Sequence, residues 1–167
     1  MQAHELKPLS SAGIPAALAR VERYRLLNEP RVAESICLDI LAADPDNKEA
    51  IPMLILAITD QFRTGSSGDE KRARDLISHL KDDYEQAYYA GIICERLGKA
   101  TIDKGIPDSK YIAYEWLRDA MEYFEKAEGL RPSGNDDSIL RWNTCVRSIE
   151  RYRLEPKHED SVHALLE

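Results

Sequence analysis

Residues 120–135 read AMEYFEKAEGLRPSGN, and residues 33–47 read AESICLDILAADPDN. In the first stretch Ala120, Phe124 and Ala127 precede Pro132; in the second Ala33, Cys37 and Ile40 precede Pro45. Both follow one pattern: an alanine, an aromatic or cysteine four positions on, a small residue or isoleucine three further, and a proline five beyond that. Spacings of three and four stack side chains on one face of a helix, and proline does not continue that helix. The recurrence of such a phrase within one chain marks an internal repeat of helical units.

Between Pro8 and Leu154 the same spacing recurs almost everywhere, and strand-length alternation is nearly absent, so the chain is predicted to be all-α with about seven helices. The first stripe is Ile14, Ala17, Leu18, Val21 and Tyr24, stopped at Asn28-Glu29-Pro30. The second is Val32, Ala33, Ile36, Cys37, Ile40 and Leu41, and the third is Ile51, Leu54, Ile55, Ile58 and Phe62, with Pro52 near its start. Thr64-Gly65-Ser66-Ser67-Gly68-Asp69 has the composition of a surface loop. A fourth stripe follows with Ala73, Leu76, Ile77 and Leu80. The fifth, from Tyr84 to Gly98, carries Ala87, Ala90, Gly91, Cys94 and Leu97, with Leu97-Gly98 read as a glycine stop and Lys99 to Ser109 as an irregular stretch. The sixth helix is predicted over Lys110 to Leu130, and the seventh carries Ile139, Trp142, Cys145, Val146, Ile149 and Tyr152. Short connections require neighbouring helices to pair as antiparallel hairpins. Residues 1–13 and 153–167 are read as tails around a helical domain at 14–152.

A chain of 167 residues with 43% apolar side chains is sized for one domain with a real core. Its 30 acidic residues outnumber 23 basic ones, and the formal charge of −7 opposes binding to nucleic acid or to an anionic membrane surface. No long apolar run is present, and Met1 to Pro8 lacks the basic-then-apolar order of a secretory signal, so a soluble, cytoplasmic protein is expected. Cys37, Cys94 and Cys145 are odd in number and widely spaced; they suit buried core positions better than a disulfide framework or a zinc site.

On these residues the chain resembles the tetratricopeptide repeat family, whose unit of about 34 residues pairs a helix A with a helix B. Ala33–Asn47 and Ala120–Asn135 look like its B-helix with the closing proline, and Ala87–Gly98 (AYYAGIICERLG) looks like its A-helix, with Gly91 where the partner helix packs close. Trp142, Cys145, Val146 and Ile149 fit the A-helix of a further unit. The two prolines lie 87 residues apart, about 19 more than two regular periods give, so three degenerate units and a capping helix are expected. The resemblance implies a right-handed α-α superhelix whose A-helices line a concave groove. Carried over by position, that groove wall holds Leu18, Glu22, Arg25, Leu56, Thr59, Asp60, Tyr88, Ile92, Glu95, Arg96, Asn143, Arg147 and Arg151. Tyr88 and Ile92 lie off the core stripe of the fifth helix, and Arg147 and Arg151, one turn apart, suit a carboxylate or an acidic peptide. The competing reading packs Tyr88 on the Lys99–Ser109 stretch and pairs the arginines with Glu150. Glu22 and Leu56 stand where the family's specialised clamp for a C-terminal carboxylate needs Asn or Lys, so that partner class is not expected.

Catalytic motifs are missing. His158 and His163 are five apart and point to different sides of a helix, Gly65–Gly68 has no phosphate-loop lysine, and His79 stands alone. Asp82-Asp83 and Asp136-Asp137 sit where helix starts favour negative charge. The expected role is therefore a non-catalytic scaffold or adaptor without cofactor or metal, binding another protein or peptide. The alternative is a self-associating subunit that uses an Ile92-Ile93 face or the segment after Leu154.

Overall fold

A proline opens each of the first two helices, and apolar stripes fix which side of each turns inward. The structure, a computed structural model, describes residues 3–158. Among the described residues, a 3-10 turn at Ser11–Gly13 precedes α1 (Ile14–Leu26), α2 (Pro30–Ala43), α3 (Ala50–Thr59), α4 (Asp69–Ile77), α5 (Asp83–Lys104), α6 (Ser109–Leu130) and α7 (Asp137–Tyr152), and no strand occurs. The all-α expectation holds, and so do the stops at Asn28–Pro30, Pro45 and Pro132. Asn47 starts α3 by accepting from the Ala50 amide at 2.9 Å, and Asp82 starts α5 by accepting from Tyr84 N at 2.8 Å. The Gly65–Gly68 segment is a loop, pinned where Asp69 accepts from Ser66 N at 3.0 Å.

The main departure is α5. It does not stop at Gly98; it runs 22 residues to Lys104 and ends at Gly105, whose φ of 57° is the left-handed conformation that closes helices. Gly98 is helical and serves close packing instead, because a Cβ there would lie 3.0 Å from Leu117 Cδ2 on α6. The expected irregular stretch is therefore the last turns of α5, a four-residue turn, and the start of an equally long α6.

Successive helices pack on one another, and the α5–α6 hairpin forms the most extensive contact. Alternate helices also meet. The backbones of α1 and α3, and of α3 and α5, approach directly. Arg141 of α7 reaches Glu95 of α5 at 3.3 Å. On the other side long side chains tie α2 to α4, through Glu34 and Arg72, and α4 to α6, where the Arg74 guanidinium lies 5.7 Å from the Trp116 ring centre. Helices α1, α3, α5 and α7 thus form one layer and α2, α4 and α6 the other.

Two cores lie on either side of α5. One joins Leu18, Val21, Ile40, Ile55 and Ile58 with Ile93; the other joins Leu117, Phe124 and Cys145 with Ile92 and Cys94. Leu154, placed in a tail by the sequence pattern, is buried in the second core, and Leu9 packs on the first. As expected, Gly91 sits at a helix crossing: a Cβ there would lie 2.6 Å from Phe124 Cε1. Gly91→Ala is expected to cost about 1–3 kcal/mol of stability through overpacking. Gly129→Ala, where a Cβ meets nothing within 4 Å, should gain about 0.5 kcal/mol. Urea denaturation of both variants checks the contrast, and equal effects would contradict this packing.

Candidate functional site

Three positions of the predicted groove meet in space. Arg25, in the last turn of α1, donates from Nε to Asp60 Oδ2 at 2.8 Å, and Arg96 of α5 pairs with Oδ1 of the same carboxylate. Asp60 follows the last residue of α3, so this single carboxylate links three helices of one layer. Its side chain and those of the two arginines are 18–23% exposed, which leaves the pairs partly screened. No local sequence spacing announces this triad, since its members are 35 and 36 residues apart.

The triad itself lines a recess of about 340 Å³ with Glu22, and two others open on that layer. The first, about 360 Å³, lies among α1, α3 and α5, with Leu56, Met53 and Tyr89 as its apolar floor and Glu22, Lys48 and Glu85 around it. Burial first, and then the neighbouring tyrosine, push the Tyr89 hydroxyl up to about 12, so it stays protonated and able to donate. The second, about 390 Å³, lies between α5 and α7. Lys99, Arg147 and Arg151 line it with one acid, Asp103, together with Thr144, Ser148, Ile102 and Tyr152.

Behind the second recess Glu95 is fully buried. Arg141 Nη1 lies 3.3 Å from Oε2, and Lys99 Nζ lies 3.2 Å from Oε1. The Lys99 approach is off the hydrogen-bonding direction, so Oε1 accepts no hydrogen bond. The sequence placed Glu95 on an accessible wall. It is enclosed because α7 leans on α5 and brings Arg141 over it.

Other predicted wall residues also turn inward. Ile92 is fully buried in the α6–α7 core, against the expectation that this face lies free, and with Ile93 buried as well the Ile92-Ile93 surface is not available for self-association. Leu18 belongs to the first core, and Thr59 is buried with its hydroxyl donating to Leu56 O at 2.9 Å. Tyr88 is half-buried against Tyr84, Tyr89 and Phe124, at ring distances of 5.7, 5.2 and 5.9 Å, and not on the Lys99–Ser109 segment. Asn143 is half-buried and lines neither recess. Glu22, Arg25, Leu56, Asp60, Arg96, Arg147 and Arg151 remain on recess walls. Arg147 and Arg151 make no ion pair with Glu150. Lys99, Ser148 and Tyr89 were missed; Lys99 had been assigned to an irregular stretch, although it continues the turns of α5.

Among the described residues no group of three or more His, Cys, Asp or Glu side chains is arranged to hold a metal, and no helix is long and apolar enough to cross a membrane. His158 is exposed, and His163 lies outside the described residues. Compared with known proteins, the chain matches no protein-family model, no curated protein and no solved structure.

The three cysteines are core residues. Burial pushes the Cys37 and Cys145 thiols up to about 12 and raises Cys94 as well. The raised values favour the folded state fully below the ordinary thiol value of 9.0, and that contribution is lost as pH rises from there towards about 12. At pH 8 a thiol-specific reagent should leave the native protein unlabelled and label all three sites after denaturation; labelling of the native protein at the rate of a free thiol would contradict the burial. Asp60→Ala, which leaves Arg25 and Arg96 facing one another without their carboxylate, should lower stability by about 1–3 kcal/mol in chemical denaturation. Asp60→Asn should cost less.

Proposed function

We propose that the protein is a non-catalytic, tetratricopeptide-like adaptor, which takes a segment of another protein across the layer built from α1, α3, α5 and α7. The observation that carries this reading is the run of recesses along one layer, two of them on either side of the one lined by the Arg25–Asp60–Arg96 cluster. A pocket for a small substrate is concave and mostly apolar with a few converging polar groups. These recesses are shallow and charged at the rim, and each spans more than one helix, as suits an extended chain with side chains at intervals.

The layering supports a curved stack. Backbones approach directly along α1, α3 and α5, whereas α2, α4 and α6 are tied by long side chains. A stack spaced more tightly on one layer bends towards that layer, and the close approach of α1, α3 and α5 supports reading the recessed side as the concave one. Paired helices that cannot bury their own apolar faces, and so depend on the next pair, are the physical basis of such repeats. The two recesses differ in chemistry enough to read direction along a segment: one has an apolar floor, the other is cationic.

The test compares what the wild-type chain captures with what three variants capture. Leu56→Arg fills the first recess and Arg147→Ala removes charge from the second; Lys126→Glu alters exposed α6 on the opposite layer. Loss of the same captured proteins with the first two variants and their retention with the third is the expected result. Capture unchanged in all three would overturn the reading.

A further inference from the structure

We propose that the recess between α5 and α7 binds a phosphate monoester dianion, and that the ester is borne on the partner segment, a source that rests on the reading of this layer as the binding face. Asp103 is the one acid on the wall, and Arg63 already pairs with it at 3.4 Å. Buried Glu95 faces two cations, Lys99 and Arg141. Arg147 and Arg151 make no ion pair or hydrogen bond among the described residues. On the wall itself three cations, Lys99, Arg147 and Arg151, against one carboxylate, Asp103, leave a surplus of two positive charges in a chain whose net charge is −7. Arg147 and Arg151 therefore face the recess as exposed cations free to pair with an incoming anion.

Geometry separates phosphate from carboxylate. A carboxylate offers two coplanar oxygens, which one guanidinium fork satisfies. Here the donors come from two helices: Arg147 and Arg151 project one turn apart from α7, and Lys99 stands on the α5 side. Donors placed on two helices around one recess suit the spread of three tetrahedral oxygens better than the single plane of a carboxylate. The Ser148 hydroxyl stands on the wall and makes no hydrogen bond among the described residues, so it adds a neutral donor. The Thr144 hydroxyl donates to Leu140 O at 2.9 Å and leaves only acceptor capacity. Ile102 and Tyr152 supply apolar wall for the carbon that carries the ester. Glu95 holds Lys99 at the rim from behind, so one donor is positioned before the ligand arrives. A phosphoserine or phosphothreonine carries about −1.5 to −2 charges at neutral pH, close to the local surplus.

The experiment uses the full chain. Inorganic phosphate is titrated into the labelled protein, and amide resonances near Ile102, Ser148 and Arg151 are followed by NMR in the wild type, in an Arg147→Ala, Arg151→Ala double variant, and in Arg20→Ala on distant α1 as a control. Saturable shifts confined to the recess, weakened tenfold or more in the double variant and unchanged in the control, are expected. Absence of shifts there, or equal shifts in the double variant, would overturn the site whatever the Leu56→Arg variant does to partner capture. A second arm compares degenerate peptides with a fixed phosphoserine against the same peptides with serine or glutamate. Retention of the phosphoserine set at least tenfold over both supports a partner-borne ester. Equal binding of the glutamate set overturns the choice of phosphate. Recess binding of inorganic phosphate without preference for the phosphopeptides overturns the partner-borne source and leaves a site for a free phosphate.

Discussion

Around Gly91–Cys94 helix α5 is buried on more than one side, and that single fact distributes the rest of the chain. An amphipathic helix needs one neighbour; a helix whose consecutive residues Gly91, Ile92, Ile93 and Cys94 are all buried needs several. Ile93 is satisfied by the core of the first four helices, while Ile92 and Cys94 are satisfied by α6 and α7. Gly91 then sets the tightest of these distances, because the Phe124 ring occupies the space a side chain would need. With that crossing fixed, the 22-residue helices α5 and α6 lie against each other along their lengths, and α7 can rest on both.

Resting there obliges α7 to cover a carboxylate. A buried, ionised Glu is costly unless cations accompany it, and removing one partner from such a set costs more than the set contributes. Glu95 is accompanied by Arg141 from α7 and Lys99 from its own helix. The arrangement therefore acts less as a source of stability than as a register mark. It favours one placement of α7 along α5, the one that brings Arg141 over Glu95, and it holds Lys99 at the rim of the recess that the same two helices enclose. Packing and surface chemistry are coupled through that carboxylate.

The ends of α1, α2 and α6 were legible because their signals are local: proline limits its neighbour's conformation wherever it stands. The extent of α5 was not, because glycine has two uses that sequence spacing alone does not separate. Gly98 looked like a stop and is a close-packing site; Gly105, with φ of 57°, is the stop. The continued three-and-four spacing through Leu97, Ala100 and Thr101 carried the missing information. Ile92 and Glu95 lie apart from their expected positions for a related reason: one inward face per helix leaves both on the wall, although the consecutive apolar residues Gly91 to Cys94 call for two such faces. Arg25, Asp60 and Arg96 were placed on one wall by analogy of position, yet their mutual pairing depends on how far α1 and α5 stand from the end of α3, a distance no spacing encodes.

The balance of charge also constrains how such a surface works. At physiological ionic strength fields fall off within about 8 Å, so the cationic α5–α7 recess and the acidic remainder of a chain of net charge −7 both act at close range, the one attracting an anionic group and the other opposing acidic residues laid along the rest of the surface. Encounter with an anionic segment is accordingly not steered from a distance, and whatever preference the recess has must appear in how slowly a bound group leaves. A group that presents its charge at one point, flanked by apolar atoms that the neighbouring Leu56, Met53 and Tyr89 floor can cover, escapes most of that repulsion. A uniformly acidic segment does not. On the proposed reading, discrimination against most acidic sequences would arise from the protein as a whole as much as from the three cations on the recess wall.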